Sequence, residues 1–311
     1  MNGSVAKEVV RAEEPGTDFR SIWTDLRHVP FQQGWLDVKG CRIRYLRSGP
    51  SEAPKVIMLA GTGGHAETFV ANLGALGKRY DCWAVDIPGC GYSDKPEGSY
   101  DSFHTARFVK DLAQVIDATT IDLIGCSVGS WNALRCAFEY PELVRRLVLV
   151  SPAGGPLPEP TDSWHSMWTD RNMLGDLRKL RMEFARTPTL EAARAVLTDL
   201  IPDQRRLPED MIAARFDVTR QPGAVDVADK VYWWWDYEVR QQNTFSRAQL
   251  RSIRHPVLGI CEAQDRTIAI VEAMFEALPN GRLIRLDGVG HWPHYEAPHQ
   301  FNGWTLEFLS A

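Results

Sequence analysis

The sequence predicts an α/β protein: a mostly parallel central sheet flanked by helices on both faces, with a mainly helical segment inserted late in the chain. Three observations carry this. Short, continuous apolar runs of strand length recur at 56–59, 82–87, 121–124, 147–150, 256–260 and 282–286, as expected for strands buried on both faces. Helical patterns separate them, and alternation of strand and helix argues for parallel pairing with helices as crossovers. One long stretch, from about 154 to 246, breaks that rhythm and is mainly helical in pattern.

Taken in order, residues 1–33 read as a polar N-terminal arm with a short helix around 21–26. The runs 35–38 and 42–46 read as two strands joined at Lys39-Gly40, a hairpin signal. A glycine-rich turn, Gly61-Thr62-Gly63-Gly64, follows the 56–59 strand and leads into a helix reaching about Leu76. The loop Pro88-Gly89-Cys90-Gly91-Tyr92-Ser93 follows the next strand. Val109, Leu112 and Ile116 form one stripe of a helix over 103–116. After the strand at 147–150, Gly154, Gly155, Pro156, Pro158 and Pro160 punctuate the chain as it leaves the core. The predicted core is therefore 34–153 together with 247–311, and 154–246 is a helical cap carrying Trp164, Trp168, Trp233, Trp234 and Trp235.

Composition narrows the function classes. The chain has 311 residues, 44% hydrophobic and 24% charged, with a net charge of −5, ordinary values for a globular protein. The absence of a long basic run argues against nucleic acid as a partner. No apolar run approaches the length of a membrane span, and residues 1–19 lack the apolar stretch of a secretory leader. The six cysteines are scattered, without a C-x-x-C pair, which suggests free thiols in a reduced, cytoplasmic chain. The expected partner is a small-molecule substrate; self-association as a homo-oligomer is left open.

The chemistry centres on Gly125-Cys126-Ser127-Val128-Gly129, directly after the strand at 121–124 and before a helix. A sharp strand-to-helix turn lifts the serine hydroxyl clear of the fold, and the flanking glycines let strand and helix approach. A serine nucleophile needs a base, an acid to orient that base, and donors for the oxyanion. His291, in Gly290-His291-Trp292 just past the last predicted strand, is the candidate base; His294 and His299 are rivals. Asp265, following the strand at 256–260, is the candidate acid, with Glu262 as runner-up. The backbone N–H groups of Val128 and Thr62 are the candidate oxyanion donors. No metal or organic cofactor is called for.

This ordered set, with Asp86-Ile87-Pro88-Gly89-Cys90-Gly91-Tyr92-Ser93 between the glycine turn and Ser127, resembles the α/β-hydrolase fold superfamily over nearly the whole chain after residue 34. Within it, Thr62-Gly63-Gly64-His65-Ala66-Glu67 and Gly290-His291-Trp292-Pro293-His294-Tyr295-Glu296 are similar to meta-cleavage-product hydrolases and related monoalkyl phthalate esterases. The resemblance implies cleavage of a C–C or ester bond in a carboxylate-bearing substrate. It implies that Arg215, in Pro208-Glu209-Asp210-Met211-Ile212-Ala213-Ala214-Arg215, anchors that carboxylate, as a guanidinium can in bidentate fashion. It also implies that Trp292 packs on an apolar or aryl part of the substrate. The chain departs from the pattern at Ala60, where the oxyanion turn usually begins with His, at Cys126, often polar in C–C hydrolases, and at Ser130, usually Gly. Losing the polar neighbour at 126 favours an ester over a dienol ketonisation.

Two other classes fit parts of the sequence. Gly61-Thr62-Gly63-Gly64-His65-Ala66 matches a G-x-G-x-x-A dinucleotide fingerprint with Asp86 after the next strand, but that reading leaves Ser127 and His291 unused. A non-catalytic receptor on the same fold would account for the altered Ala60 and Cys126, but not for a complete set of nucleophile, base and acid.

Overall fold

In the computed structural model, which describes residues 7–16, 19–165, 169–264 and 267–311, the strands form one sheet. They are β1 (Lys7–Arg11), β2 (Phe31–Val38), β3 (Cys41–Ser48), β4 (Lys55–Leu59), β5 (Asp81–Val85), β6 (Ile121–Cys126), β7 (Val144–Val150), β8 (Val257–Glu262) and β9 (Gly281–Asp287). Their order is β1-β9-β8-β7-β6-β4-β5-β3-β2. Pairing is parallel from β1 through β5, and β3 runs antiparallel to both β5 and β2. The β2–β3 hairpin turns at Lys39 and Gly40, both at positive φ, the geometry that suits a two-residue hairpin loop.

Strand alternation divides the core into two layers. Ile57 and Leu59 of β4 face one cluster and Val56 and Met58 the other. Helices α3 (Ser102–Val115), α4 (Val128–Glu139) and α11 (Ile268–Ala277) cover the first face through Val109, Leu112, Trp131, Leu134, Met274 and Phe275. Helices α2 (Val70–Leu76) and α13 (Pro298–Ser310) cover the second through Leu73, Leu76, Phe301 and Leu309. Between β7 and β8 lie α5 (Arg171–Arg186), α6 (Leu190–Leu200), α7 (Glu209–Thr219), α8 (Ala224–Val231) and α9 (Tyr237–Asn243), followed by α10 (Arg247–Ser252). No described helix is long and apolar enough to cross a membrane.

The stretch read as a polar arm also contributes structure. Helix α1 (Ile22–Leu26) is closed by a capping box from Ser21. Strand β1 pairs with β9, Val10 opposite Leu286. Its sequence, Lys7-Glu8-Val9-Val10-Arg11, is too short and too charged to announce a strand, but edge strands tolerate charge because only one side is paired.

Strand order reverses at β4, whose neighbours β5 and β6 are reached in opposite directions. Such a point leaves a crevice beyond the carboxyl ends of the strands, where open α/β sheets bind ligands. At this point α4 lies nearly against β4: a Cβ on Gly129 would fall 2.1 Å from the Leu59 carbonyl oxygen and 2.6 Å from that of Ala60. Gly129→Ala is therefore expected to destabilise the fold by about 1–3 kcal/mol, measured as a lowered urea midpoint; an unchanged midpoint would contradict this close packing.

Candidate active site

Ser127 ends β6 and precedes α4 with φ 53° and ψ −121°, a strained conformation for a residue with a side chain. Its N–H donates to the Val150 carbonyl (2.8 Å), and its own carbonyl accepts from the Ser130 N–H (2.9 Å). The Ser130 hydroxyl also donates to the Ser127 carbonyl and accepts from the Ala153 N–H at 3.0 Å. The departure from glycine at 130 thus supplies a further tether for the turn. A Cβ on Gly125 would lie 2.3 Å from the Gly129 carbonyl oxygen, so both flanking glycines are required by packing.

The glycine turn after β4 faces this serine. A Cβ on Gly61 would sit 3.1 Å from Ser127 Cβ and 3.7 Å from Oγ, so the turn approaches the hydroxyl closely. The Gly64 N–H donates to the Gly61 carbonyl (2.9 Å), closing a turn with Thr62 and Gly63 at its centre and Gly63 at φ 59°. Val128 is the first residue of α4, where a helix leaves N–H groups without intrahelical partners. Thr62 and Val128 therefore belong to the two segments that border Ser127.

A buried ionic network holds the turn from behind. Arg44 pairs with Glu67 and lies 3.4 Å from Asp86, while His65 Nδ1 is 2.8 Å from Glu67. Asp86 accepts from the N–H groups of Ala66 (2.6 Å) and Tyr92 (2.9 Å). Burial raises the pKa of Asp86 against the pull of Arg44. Burial also opposes ionisation of Glu67, but His65 and Arg44 hold its carboxyl well below the usual range. The sequence showed the residues but not this long-range pairing.

His291 follows β9. Its Nδ1 lies 2.9 Å from Oε1 of Glu262, the last residue of β8. With a carboxylate there, Nδ1 carries the proton and Nε2 is left as the acceptor. The other Glu262 oxygen accepts from the hydroxyl of Ser151, itself at φ 39° just beyond β7. Burial pushes the Glu262 pKa up, but the charge and hydrogen bond of His291, with help from Ser151, bring it below its ordinary value. Strand register sets these groups along one rim: Cys126 stands opposite Val150, and Val150 opposite Ile260. Asp265, the acid expected from the sequence, lies outside the described residues, as does Trp168.

Arg215 lies in α7 and is 6% exposed. Its guanidinium donates to the Gly63 carbonyl and, at 3.4 Å, to that of Thr62. Arg181 of α5 is the other cation in this region. Burial, then the like charge of Arg215, lowers its pKa, and its guanidinium lies 5.6 Å from the Trp235 ring centroid. Neither arginine forms a salt bridge among the described residues, although the charge of Asp199 acts on Arg181. Trp292 is buried in the second cluster, its ring 6.1 Å from His294 and 6.2 Å from Tyr295. Trp233 and Trp234 instead pack edge-to-face with Trp131 of α4, with centroids 5.1 and 5.4 Å away. His294, a rival base in the sequence, is fully enclosed, and burial drives its pKa down to about 3.

The chain is similar to known proteins in both sequence and fold. Residues 54–298 match the family described as alpha/beta hydrolase fold. A 2-hydroxymuconate semialdehyde hydrolase of Pseudomonas putida is 30% identical over 235 residues, covering 73% of this chain and 76% of the relative. A 2-hydroxy-6-oxo-6-phenylhexa-2,4-dienoate hydrolase from Rhodococcus sp. superposes with a TM-score of 0.75 at 20% identity, over 91% of this chain and 100% of the other. A carboxylesterase from Bacillus subtilis superposes with a TM-score of 0.70 at 21% identity, over 93% and 95%.

One group beside His291 makes a pH signature. Burial raises the Glu296 carboxyl from 4.5 to about 7, against backbone hydrogen bonds and the charge of Arg206. A raised carboxyl pKa means that the folded chain holds the proton more tightly than the unfolded chain. Its contribution to stability is therefore full below about pH 4.5 and falls as pH rises to about 7. Relative to Glu296→Gln, the wild type is expected to lose up to about 3 kcal/mol across that window, read from urea unfolding at pH 5 and pH 7. A constant difference between the two proteins would refute it.

Proposed function

The chain belongs to the alpha/beta hydrolase fold family, and within it we propose a serine hydrolase that cleaves a carboxylic ester of a carboxylate-bearing, aromatic or apolar substrate, such as a monoalkyl phthalate, through an acyl-enzyme. The observation that carries the proposal is the strained Ser127 turn on the same strand rim as the His291–Glu262 pair.

His291 Nε2 takes the proton of the Ser127 hydroxyl as its oxygen attacks the ester carbonyl. The N–H groups of Thr62 and Val128 hold the oxyanion, each contributing about 3 kcal/mol. Glu262, through Nδ1, keeps the imidazole in one tautomer and stabilises the imidazolium. His291 then protonates the departing alcohol, and water repeats the sequence on the acyl-enzyme. Helices α5–α9 serve as the cap. The buried Arg215 and half-buried Arg181 support a carboxylate in the substrate, since a guanidinium with no salt bridge gains most from a ligand that brings one. Arg215 has a second part, because its bonds to Thr62 and Gly63 also steady the oxyanion turn.

The second reading is hydrolysis of a C–C bond in a meta-cleavage-type dienoate, favoured by the similarity to the semialdehyde hydrolase. The ester is preferred because the position before the nucleophile is Cys126, fully buried, with burial pushing its thiol pKa up. Such a group offers no ready proton to a dienol intermediate.

Ser127→Ala is expected to abolish fluorophosphonate labelling and reduce turnover by about 10⁴-fold or more. Glu262→Gln is expected to cost about 10⁴-fold in kcat; full activity in that variant with a comparable loss in Asp265→Asn would assign the orienting carboxylate to Asp265. Arg215→Ala is expected to weaken carboxylate-bearing esters about 10–100-fold and neutral esters less. Assaying p-nitrophenyl esters, monoalkyl phthalates and a ring-fission dienoate side by side decides the bond, and a strong preference for the dienoate would overturn the ester.

A further inference from the structure

We propose that Glu296 is a positioning residue for the base: its buried carboxylate clamps the backbone on both sides of His291 and fixes where the imidazole points. The inference rests on the serine-hydrolase reading and assigns a part to a residue with no place in the reaction itself.

The Gly290 N–H lies 3.0 Å from both Glu296 oxygens, and the Trp292 N–H lies 3.2 Å from Oε1. The N–H of His291 itself donates to the Leu200 carbonyl (2.7 Å), at the end of α6. Three successive N–H groups are thus bound, the outer two by one carboxylate and the central one by the helical insertion. Glu296 is 3% exposed, and no cation bonds its carboxylate among the described residues. Arg206 grips the Glu296 carbonyl instead and reaches the Glu13 carbonyl at 2.6 Å.

A buried carboxylate spent only on backbone donors is a costly way to hold a loop. This loop has reason to need it. Gly288 sits at φ 82°, and a cleft of about 320 Å³ bordered by Pro202, Gln264, Gly288, Val289 and Gly290 lies against the loop. Packing holds the loop closely only at Gly290, against Pro202 and Leu200, while Gly288 is exposed and Val289 half-buried. A general base must meet its proton within hydrogen-bond reach, so a loop that wanders by an ångström costs rate rather than binding.

The test uses the full chain with Glu296→Ala, Glu296→Asp and Glu296→Gln, each first shown to unfold cooperatively. Two quantities are read: the rate of Ser127 labelling by a fluorophosphonate, and kcat and KM on a p-nitrophenyl ester. Glu296→Ala and the shorter Glu296→Asp are expected to label and turn over about 10–100-fold more slowly, with KM within about twofold. Glu296→Gln is expected to recover much of the loss, because one amide oxygen at the Oε1 position can serve both N–H groups. Full rates in Glu296→Asp or Glu296→Ala would overturn the proposal, as would a loss confined to KM. If Glu296→Ala does not fold, Glu296→Asp and Glu296→Gln decide by the same criteria. Ser127→Ala is run alongside. A wild type that is not labelled at Ser127 defeats the serine reading itself, whereas normal wild-type labelling with an unaffected Glu296→Asp defeats only the clamp.

Discussion

The site depends on how closely α4 is allowed to approach β4 and β6. Gly125 and Gly129 have no room for a Cβ, and Ser127 between them is held at positive φ. Such a conformation costs about 1–3 kcal/mol and survives only where its surroundings over-determine it. Here the Val150 carbonyl, the Ser130 N–H and the Ser130 hydroxyl all bind the Ser127 backbone. The same compression brings Gly61 against the serine side chain. Ser127 and the glycine turn are therefore set by one packing event rather than by two independent loops.

The helical segment between β7 and β8 bonds directly to the site. It reaches the site at two points of the backbone. Arg215 of α7 bonds the carbonyls of the glycine turn, and the end of α6 bonds the N–H of His291 through Leu200. A Cβ on Gly290 would strike Pro202 Cδ at 2.4 Å and the Leu200 carbonyl oxygen at 2.5 Å. A shift of the insertion would thus be felt by the glycine turn and His291 together. This gives a physical route by which substrate shape can influence chemistry as well as binding.

What could be read from the sequence was local. The glycines around Ser127, the turn at 61–64 and the short apolar strands each carry their reason within a few residues. Strand β1 escaped because five residues with three charges show no period, and only β9 makes them a strand. The sequence alone could not choose between Asp265 and Glu262 as the acid, because spacing cannot tell a strand-end carboxylate from one three residues later. The geometry at Nδ1 requires coordinates, and Asp265 lies outside the described residues. Glu296 was visible beside His291, but its partners are backbone N–H groups that no side-chain pattern records. The Arg44–Glu67–Asp86 network joins residues 19 to 42 positions apart, and Arg181 became notable only when burial left it beside another cation.

Strand β1 has a consequence for handling the protein. It zips along β9, and the Ala12 N–H continues the ladder onto Asp287, four residues before the imidazole. Glu13 then receives Arg206, the same arginine that grips the backbone at 296. The amino-terminal ribbon is thus a splint for the segment that carries His291. Trimming it would strip the border of the sheet bare and invite neighbouring molecules to pair there, while slackening the hinge on which the imidazole hangs.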